Sequence, residues 1–159
     1  MKTALPIAAS ILALAGCAAM TESGSAAPAS EMKVAFDITT GNPQAVIKTL
    51  EVIDLTRKQL IERGVTPRIV VGFRGDASYY TQTNLGAVKE ADRADAIRIA
   101  AAIRQLRAAN GVEALEQCNV PLDARKLKPA DVMPEVKLVP NGWISLATYQ
   151  QKGYAYIAP

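Results

Sequence analysis

The feature that most constrains the fold of this chain is an unbroken apolar run, Ile-Val-Val at residues 69–71. Such continuity is typical of a strand covered on both faces, as in a parallel sheet. Residues 42–64 before it have apolar residues at helical spacing, with Asn42 as a cap, Pro43 at the first helical position and Gly64 at the exit. Residues 91–111 repeat the helical pattern, so strand and helix alternate.

The same alternation continues to the end of the chain. Strands that alternate with helices favour parallel pairing through right-handed crossovers, with helices on both sheet faces. We therefore predict an α/β fold, a flavodoxin-like three-layer domain with a five-stranded, mainly parallel sheet. The predicted strands lie in residues 32–41 (a strand that ends in a turn), 65–75, 112–118, 135–142 and 154–159. The predicted helices lie in residues 42–64, 91–111 and 143–153, and residues 121–134 are expected to be irregular or briefly helical.

The N-terminus has the order of a secretory signal peptide. Lys2 precedes an apolar run, and a region of small residues follows. The run is too short to span a bilayer as a permanent helix. The letters LAGC at residues 14–17 look like a bacterial lipobox, in which cleavage precedes the cysteine and the sulfur is lipidated. We expect a signal peptide at residues 1–16 and lipidation of Cys17; the alternative is an ordinary signal peptide that contains a cysteine.

The residues after the signal predict a tethered domain. Residues 17–31 are small and polar without periodicity, which is typical of a flexible tether. Residues 32–159 are long enough for one domain with its own core. We expect a protein anchored to the cell envelope by lipid and facing the periplasm of a two-membrane host. Ala18, rather than an acidic residue, follows Cys17, so the common inner-membrane retention signal is missing from the sequence.

Composition excludes several kinds of site. The chain has no histidine, which excludes Ser-His and Cys-His pairs and imidazole metal sites. Its sequence contains neither GxxxxGK[ST] nor GxGxxG after the first strand, the usual cradles for nucleotide phosphates. A net charge of +3 gives no reason to expect nucleic-acid binding. We predict no metal site, no cofactor and no nucleic-acid partner.

Cys118 is the candidate reactive residue. The chain has two cysteines, so lipidation of Cys17 leaves Cys118 without a partner. It ends the third predicted strand, and ligands of open parallel sheets gather beyond the carboxyl ends of strands. A helical turn starting at Asn119 would aim backbone N–H groups at an accessible sulfur and favour its thiolate. Basic residues follow at Arg125, Lys126 and Lys128. The alternative is a buried cysteine that only packs, and the residues alone leave both open.

Four other residues are candidates for ligand binding. Arg74 ends the second predicted strand and is expected to face the same crevice as Cys118, with Asn119 beside it. Tyr79 and Tyr80 lie in the polar connection at residues 76–90. Each of these residues also has an ordinary explanation, because exposed arginines are common and loop tyrosines often pack. Candidate binding residues are thus Arg74, Tyr79, Tyr80 and Asn119.

The C-terminal third resembles the DsrE/DsrF-like family of sulfur-relay proteins. The resemblance lies in a cysteine that ends strand three and in a tail of the pattern V.P.G...L...Q..GY.YI.P. Its residues here are Val139, Gly142, Leu146, Gln150, Gly153, Tyr154, Ile157 and Pro159. The resemblance extends from about residue 33 to the C-terminus and implies a DsrE-like domain at 32–159, a homo-oligomer (trimer or hexamer), and a persulfide on Cys118. Many relatives have glycine where this chain has Asn119.

The resemblance implies a sulfur carrier that binds or transfers sulfur through Cys118. Its partners would be sulfur donor and acceptor proteins or small sulfur compounds. Relays of this family work in the cytoplasm and are fed by desulfurases, so an anchored envelope protein needs another source, such as thiosulfate or products of sulfide oxidation. Such a protein is transferase-like at most. The alternative is a non-catalytic scaffold of the same fold that binds a small ligand or a protein, in which Cys118 is structural.

Overall fold

A computed structural model of the chain describes residues 31–159. The predicted signal peptide, Cys17 and all of the predicted tether except its last residue, Glu31, lie outside the described residues. The strands are β1 (Glu31–Ile38), β2 (Thr66–Phe73), β3 (Val112–Cys118), β4 (Lys137–Val139) and β5 (Ala155–Ile157). The α-helices are α1 (Pro43–Glu62), α2 (Arg93–Ala108), α3 (Val120–Ala124) and α4 (Gly142–Gln151).

The five strands form one parallel sheet in the order β4-β3-β2-β1-β5. The chain therefore proceeds strand by strand from β1 to β4 and then returns to place β5 beside β1. In the register, Val34 of β1 lies between Ile69 of β2 and Ala155 of β5. The predicted flavodoxin-like three-layer architecture with a five-stranded sheet is confirmed, and all of the pairings within the sheet are parallel.

Helix α1 begins and ends as its sequence predicts. The Asn42 side chain accepts a hydrogen bond from the Ala45 backbone N–H at 3.1 Å, Pro43 occupies the first helical position, and Gly64 has a φ of +72°. A positive φ is readily adopted only by glycine, so Gly64 lets the chain turn out of the helix toward β2. The cap, the proline and the glycine together fix where the first helical layer starts and stops.

The two faces of the sheet are covered unequally. On one face, α1 and α2 enclose a large core with the sheet, to which Ile53, Phe73 and Ile103 belong. On the other face, α4 covers a small cluster of Ala35, Val70, Leu146 and Tyr154. Since α4 follows β4, which lies at one edge of the sheet, the return to β5 at the other edge draws this single helix diagonally across the second face.

The connections differ in detail from the sequence-based expectation. The polar connection between β2 and α2 forms three short 3-10 turns, Gly75–Thr81, Leu85–Ala87 and Glu90–Asp92, and a fourth precedes β4 at Pro129–Asp131. Strand β4 has only three residues, fewer than its apolar pattern predicts, because Asn141 already caps α4. No helix within residues 31–159 combines the length and apolarity needed to cross a bilayer.

Candidate functional site

Cys118 lies at the point where the chain changes sides of the sheet. It is the last residue of β3. The connection from β3 to β4 packs Met133 and Val136 into the core under α1 and α2, whereas the connection after β4 forms α4 on the opposite face. Two neighbouring parallel strands that send their connections to opposite faces leave a crevice between their carboxyl ends. The position of Cys118 is therefore the one where open α/β sheets bind ligands.

The Cys118 sulfur is held by the start of α4. Its Sγ atom accepts a hydrogen bond from the backbone N–H of Gly142 at 3.1 Å, and Gly142 is the first residue of that helix. The N-terminus of a helix carries partial positive charge and unpaired N–H groups. This contact places such a donor directly on sulfur.

Two details of the predicted sulfur environment are wrong. The expected turn, α3, is present, but the N–H donor comes from Gly142 in α4, because β4 pairs beside β3 and delivers the next helix to the same place. The side chain of Asn119 makes no capping bond, and its Oδ1 atom is buried without a partner within the described part of the chain. Cys118 was expected to be accessible, but it is buried: only 5 % of its surface is exposed.

Gly142 is needed because three chain segments meet there. A Cβ atom added to Gly142 would lie 2.7 Å from Cδ of Arg74 and 2.9 Å from Cβ of Cys118. Both distances are shorter than carbon atoms tolerate without displacement. The absence of a side chain at Gly142 thus lets the strand-end arginine, the cysteine and the helix start approach one another.

Arg74 is held beside Cys118 by a buried carboxylate. Its Nε donates to Oδ1 of Asp37 at 2.8 Å and its Nη2 donates to Oδ2. The Asp37 side chain is 1 % exposed and also accepts a hydrogen bond from the Tyr156 hydroxyl at 2.6 Å. The hydrogen bonds to Asp37 raise the pKa of Arg74 despite partial burial, and the hydrogen bond to Asp37 likewise raises the pKa of Tyr156. The guanidinium is therefore a fixed positive charge.

An open cleft of about 380 Å³ adjoins the sulfur. Trp143, the residue after Gly142, lies at its edge, with its ring centroid 5.7 Å from the Arg74 guanidinium carbon. Arg125 lies at the cleft as well and donates to Asp76 through Nη2 at 2.6 Å. The lining consists of Arg74, Gly75, Cys118, Val120, Pro121, Ala124, Arg125, Asn141 and Trp143. Of the basic residues singled out after Cys118, the lining includes Arg125 but neither Lys126 nor Lys128.

The two tyrosines belong to a different cleft. Tyr79 and Tyr80 line a space of about 280 Å³ together with Gly41, Asp76, Ala87, Val88, Lys89 and Asp92. Tyr80 is buried and donates from its hydroxyl to the Gly41 carbonyl oxygen at 2.6 Å. Burial, followed by the nearby carboxylates, raises the pKa of Tyr80. The structure thus brings Arg74 to the cleft beside Cys118 and places Tyr79 and Tyr80 in another cleft. Asn119 follows Cys118 in the chain but does not line the cleft.

A buried polar network supports Cys118 from behind and is not apparent in the sequence. The amide of Gln117, which is fully buried, donates to the Cys118 carbonyl oxygen at 2.6 Å and to the Ser78 hydroxyl at 2.8 Å. The Thr81 hydroxyl donates to the side-chain oxygen Oε1 of Gln117 at 2.7 Å. The only hint in the sequence is a glutamine inside an otherwise strand-like run. Among residues 31–159 no group of His, Cys, Asp and Glu side chains is arranged to hold a metal ion.

Comparison with known proteins supplies a family and a fold. The family model described as DsrE/DsrF-like matches residues 32–159. An uncharacterized protein of Aquifex aeolicus (strain VF5) is 29% identical over 129 residues, which cover 81% of this chain and 56% of that protein, so the chain spans little more than half the length of this relative. The solved structure of MTH1491, a protein of unknown function from Methanobacterium thermoautotrophicum, matches with a TM-score of 0.58 and 20% identity over 80% of this chain and 99% of that one, a likeness of fold alone.

Proposed function

The chain belongs to the DsrE/DsrF-like family, a family of the sulfur-relay type, and on this premise we propose that it carries sulfur as a persulfide on Cys118. The observation that supports the proposal most directly is the hydrogen bond from the Gly142 N–H to the Cys118 sulfur, at the edge of an open cleft. The resemblance of the C-terminal tail to this family is confirmed by the match over residues 32–159.

The geometry suits a sulfur atom that bears negative charge. The Gly142 N–H donates to this sulfur and the fixed guanidinium of Arg74 lines the same cleft, so both interact favourably with negative charge at the end of β3. In the proposed reaction the Cys118 thiolate attacks the outer sulfur of a sulfane donor, forms a new S–S bond, and the donor's leaving group departs with the electron pair. A thiol of an acceptor then takes the outer sulfur and regenerates Cys118.

Intact-mass measurement tests this proposal directly. After incubation with polysulfide, we expect the wild-type protein to gain the mass of one or more sulfur atoms, and the gain to disappear on treatment with a reducing thiol. With Cys17 replaced by serine in both proteins, the Cys118→Ser variant should gain none. A wild-type protein that stays unchanged, or a variant that gains as much as the wild type, would show that Cys118 is not the carrier.

One observation favours a second candidate function. Because only 5 % of Cys118 is exposed, the thiol is also suited to simple packing in a non-catalytic module that binds a small ligand or a protein at the same crevice. Alkylation kinetics separate the two functions. A carrier thiol reacts with iodoacetamide in the folded protein at neutral pH, while a packed thiol reacts only when the protein unfolds.

We also propose that the protein is a lipid-anchored component of the cell envelope that faces the periplasm. The support is the LAGC motif ending at Cys17 and the Ala18 that follows it. Acylated cysteines with several chains anchor stably, whereas a single chain binds reversibly. A fatty-acid probe fed to growing cells should label the wild-type protein and not Cys17→Ser; equal labelling of both would contradict the anchor.

A further inference from the structure

We propose that the cleft beside Cys118 selects organic thiosulfonate anions over inorganic thiosulfate. In a thiosulfonate, R–SO2–S⁻, an apolar group R is bound to the sulfonyl sulfur, and the outer sulfur is the one transferred. This inference rests on the proposed transfer of sulfur to Cys118 and names the chemical class of the donor. Three properties of the cleft lead to it: its volume, its apolar wall and the sign of its charged groups.

The volume exceeds what a small inorganic anion needs. The cleft measures about 380 Å³, which corresponds to about a dozen water molecules at ~30 Å³ each. A thiosulfate ion fills only a small part of such a space and leaves its walls in contact with water. A donor with an organic group displaces that water from the apolar wall and gains free energy in proportion to the area it covers.

The wall is suited to a flat apolar group. Val120, Pro121 and Ala124 of the segment after β3 form one side, and Trp143 at the start of α4 forms the other. Val120 is 59% exposed and Trp143 is 70% exposed. Large apolar side chains left open beside a reactive residue offer surface that a ligand can cover, and an aromatic ligand gains additional free energy from contact with the Trp143 ring.

The charged groups that a ligand meets in the cleft are cationic. Arg74 and Arg125 both line it, and its lining residues include no carboxylate. Their acidic partners are not part of the lining: Asp37 is buried behind Arg74, and Asp76, which pairs with Arg125 at 2.6 Å, lines the neighbouring cleft. The bonds from Arg74 to Asp37 use Nε and Nη2, so Nη1 remains available to donate to a sulfonyl oxygen. Guanidinium groups bind such oxyanions well.

The transfer step needs no further reagent. The Cys118 thiolate attacks the outer sulfur of the thiosulfonate and an S–S bond forms between them. The bond between the outer sulfur and the sulfonyl sulfur breaks, and the electron pair leaves with the sulfinate. Thiolate and thiosulfonate anions thereby become a persulfide anion and a sulfinate anion, with charge and atoms conserved. A thiol that starts protonated first gives its proton to water.

Binding can be measured apart from transfer, because Trp143 is the only tryptophan of the chain. Benzenesulfonate has the predicted shape but lacks the outer sulfur that a thiosulfonate transfers. We expect it to change the tryptophan fluorescence of the full-length protein saturably, in the wild type and in Cys118→Ser alike, and sulfate to cause no comparable change. No saturable response to benzenesulfonate, or an equal response to both ions, would overturn the proposal.

Transfer is tested by initial rates of sulfur loading, followed by intact mass. Each rate with benzenethiosulfonate or thiosulfate is divided by the rate of the same donor with a free small thiol, which removes intrinsic reactivity. We expect the normalised rate to favour benzenethiosulfonate at least about tenfold, and Trp143→Ala to lower that preference by roughly 3- to 10-fold. Ile144→Ala is the matched control, because Ile144 is 66% exposed and does not line the cleft.

The outcomes separate a failure of the proposed donor class from a failure of the sulfur-carrier function on which it rests. Loading by polysulfide together with equal normalised rates for both donors would overturn the donor class and leave the sulfur carrier intact. Failure of Cys118 to load from polysulfide, thiosulfate and benzenethiosulfonate alike would overturn the carrier itself. An equal loss of preference in Trp143→Ala and Ile144→Ala would exclude the cleft wall as its origin.

Discussion

At the scale of single residues, the contacts of Gly142 make the most direct prediction. A methyl group at this position would press on the side chains of Arg74 and Cys118, at 2.7 and 2.9 Å. Arg74 is held by Asp37 and Cys118 by the end of β3. The added atom therefore has to displace one of these side chains or the start of α4. We expect Gly142→Ala to lower the free energy of unfolding by about 1–3 kcal/mol and to slow sulfur loading of Cys118.

Gly72→Ala is the control for this substitution. An added Cβ at Gly72 lies 3.6 Å from the nearest atom, in Leu146, which is an ordinary contact. We expect a change of under about 1 kcal/mol, measured by urea denaturation. Equal losses in the two variants would mean that the crowding at Gly142 is relieved by small movements.

The pair formed by Arg74 and Asp37 makes a second prediction. Removing the guanidinium in Arg74→Ala leaves the Asp37 carboxylate, 1 % exposed, without its charged partner, and such losses typically cost about 3–5 kcal/mol. Removing both charges in Arg74→Leu with Asp37→Leu should cost clearly less. A double variant that is at least as unstable as Arg74→Ala, by urea denaturation, would contradict a simple unpaired charge.

How far the site could be predicted from the sequence depends on the distance along the chain between its members. Cys118 and Arg74 were identified because each ends a recognisable strand. Gly142, Trp143 and Asp37 were not assigned to the site, since their proximity to Cys118 depends on which strands are neighbours in the sheet. The burial of Cys118 was missed for the same reason: α4 starts over it, 24 residues later in the chain.

At the scale of elements, the contact of α4 with β3 predicts that the free energy of unfolding falls at alkaline pH. The Tyr149 hydroxyl donates to Oε1 of buried Glu116 at 3.1 Å, and Ser145 donates to the other carboxylate oxygen. Burial, the charge of Glu116 and this hydrogen bond raise the pKa of Tyr149 to about 12. The phenol of an unfolded chain titrates at about 10, so the folded protein holds the proton more tightly.

It follows that the contribution of Tyr149 to stability is complete below about pH 10 and is lost as the pH rises toward about 12. We expect the free energy of unfolding, measured in urea over this range, to fall with pH in the wild type. The fall should be shallower in Tyr149→Phe. Identical slopes in the two proteins would show that the proton of Tyr149 is not linked to folding.

Elements with strong local signals were predictable and the weakest ones were not. Helix α1 has a cap, a proline and a terminal glycine, and its bounds agree with those signals. Strand β4 was expected to be longer, because the apolar pattern around Val136 and Val139 does not reveal where pairing with β3 stops. The 3-10 turns after β2 have buried residues such as Ser78 and Thr81, whose burial results from the Gln117 network and not from local pattern.

At the scale of the whole molecule, the unequal layers predict unequal local stability. Helix α1 buries Val46, Ile47, Leu50, Ile53 and Leu60, whereas α4 buries only Gly142 and Leu146. Segments with few buried apolar contacts open at lower free energy than the core. We expect hydrogen exchange, followed by mass spectrometry, to be faster in α4 than in α1. Equal protection would mean that the two layers open together, and slower exchange in α4 would reverse the argument.

The last prediction concerns assembly, and it combines the proposed homo-oligomer with the exposed apolar surface at the β5 edge. Val52 and Ile157 are 45% and 44% exposed and line a groove of about 320 Å³ with Phe36 and Pro159. Apolar surface of this kind is typical of contacts between proteins. We expect the wild type to be a trimer or hexamer by light scattering at micromolar concentration, and Val52→Glu to dissociate it. The matched control is Ile97→Glu, at a residue of α2 that is 62% exposed. A monomeric wild type would refute the assembly, and dissociation by Ile97→Glu alone would move the interface to α2.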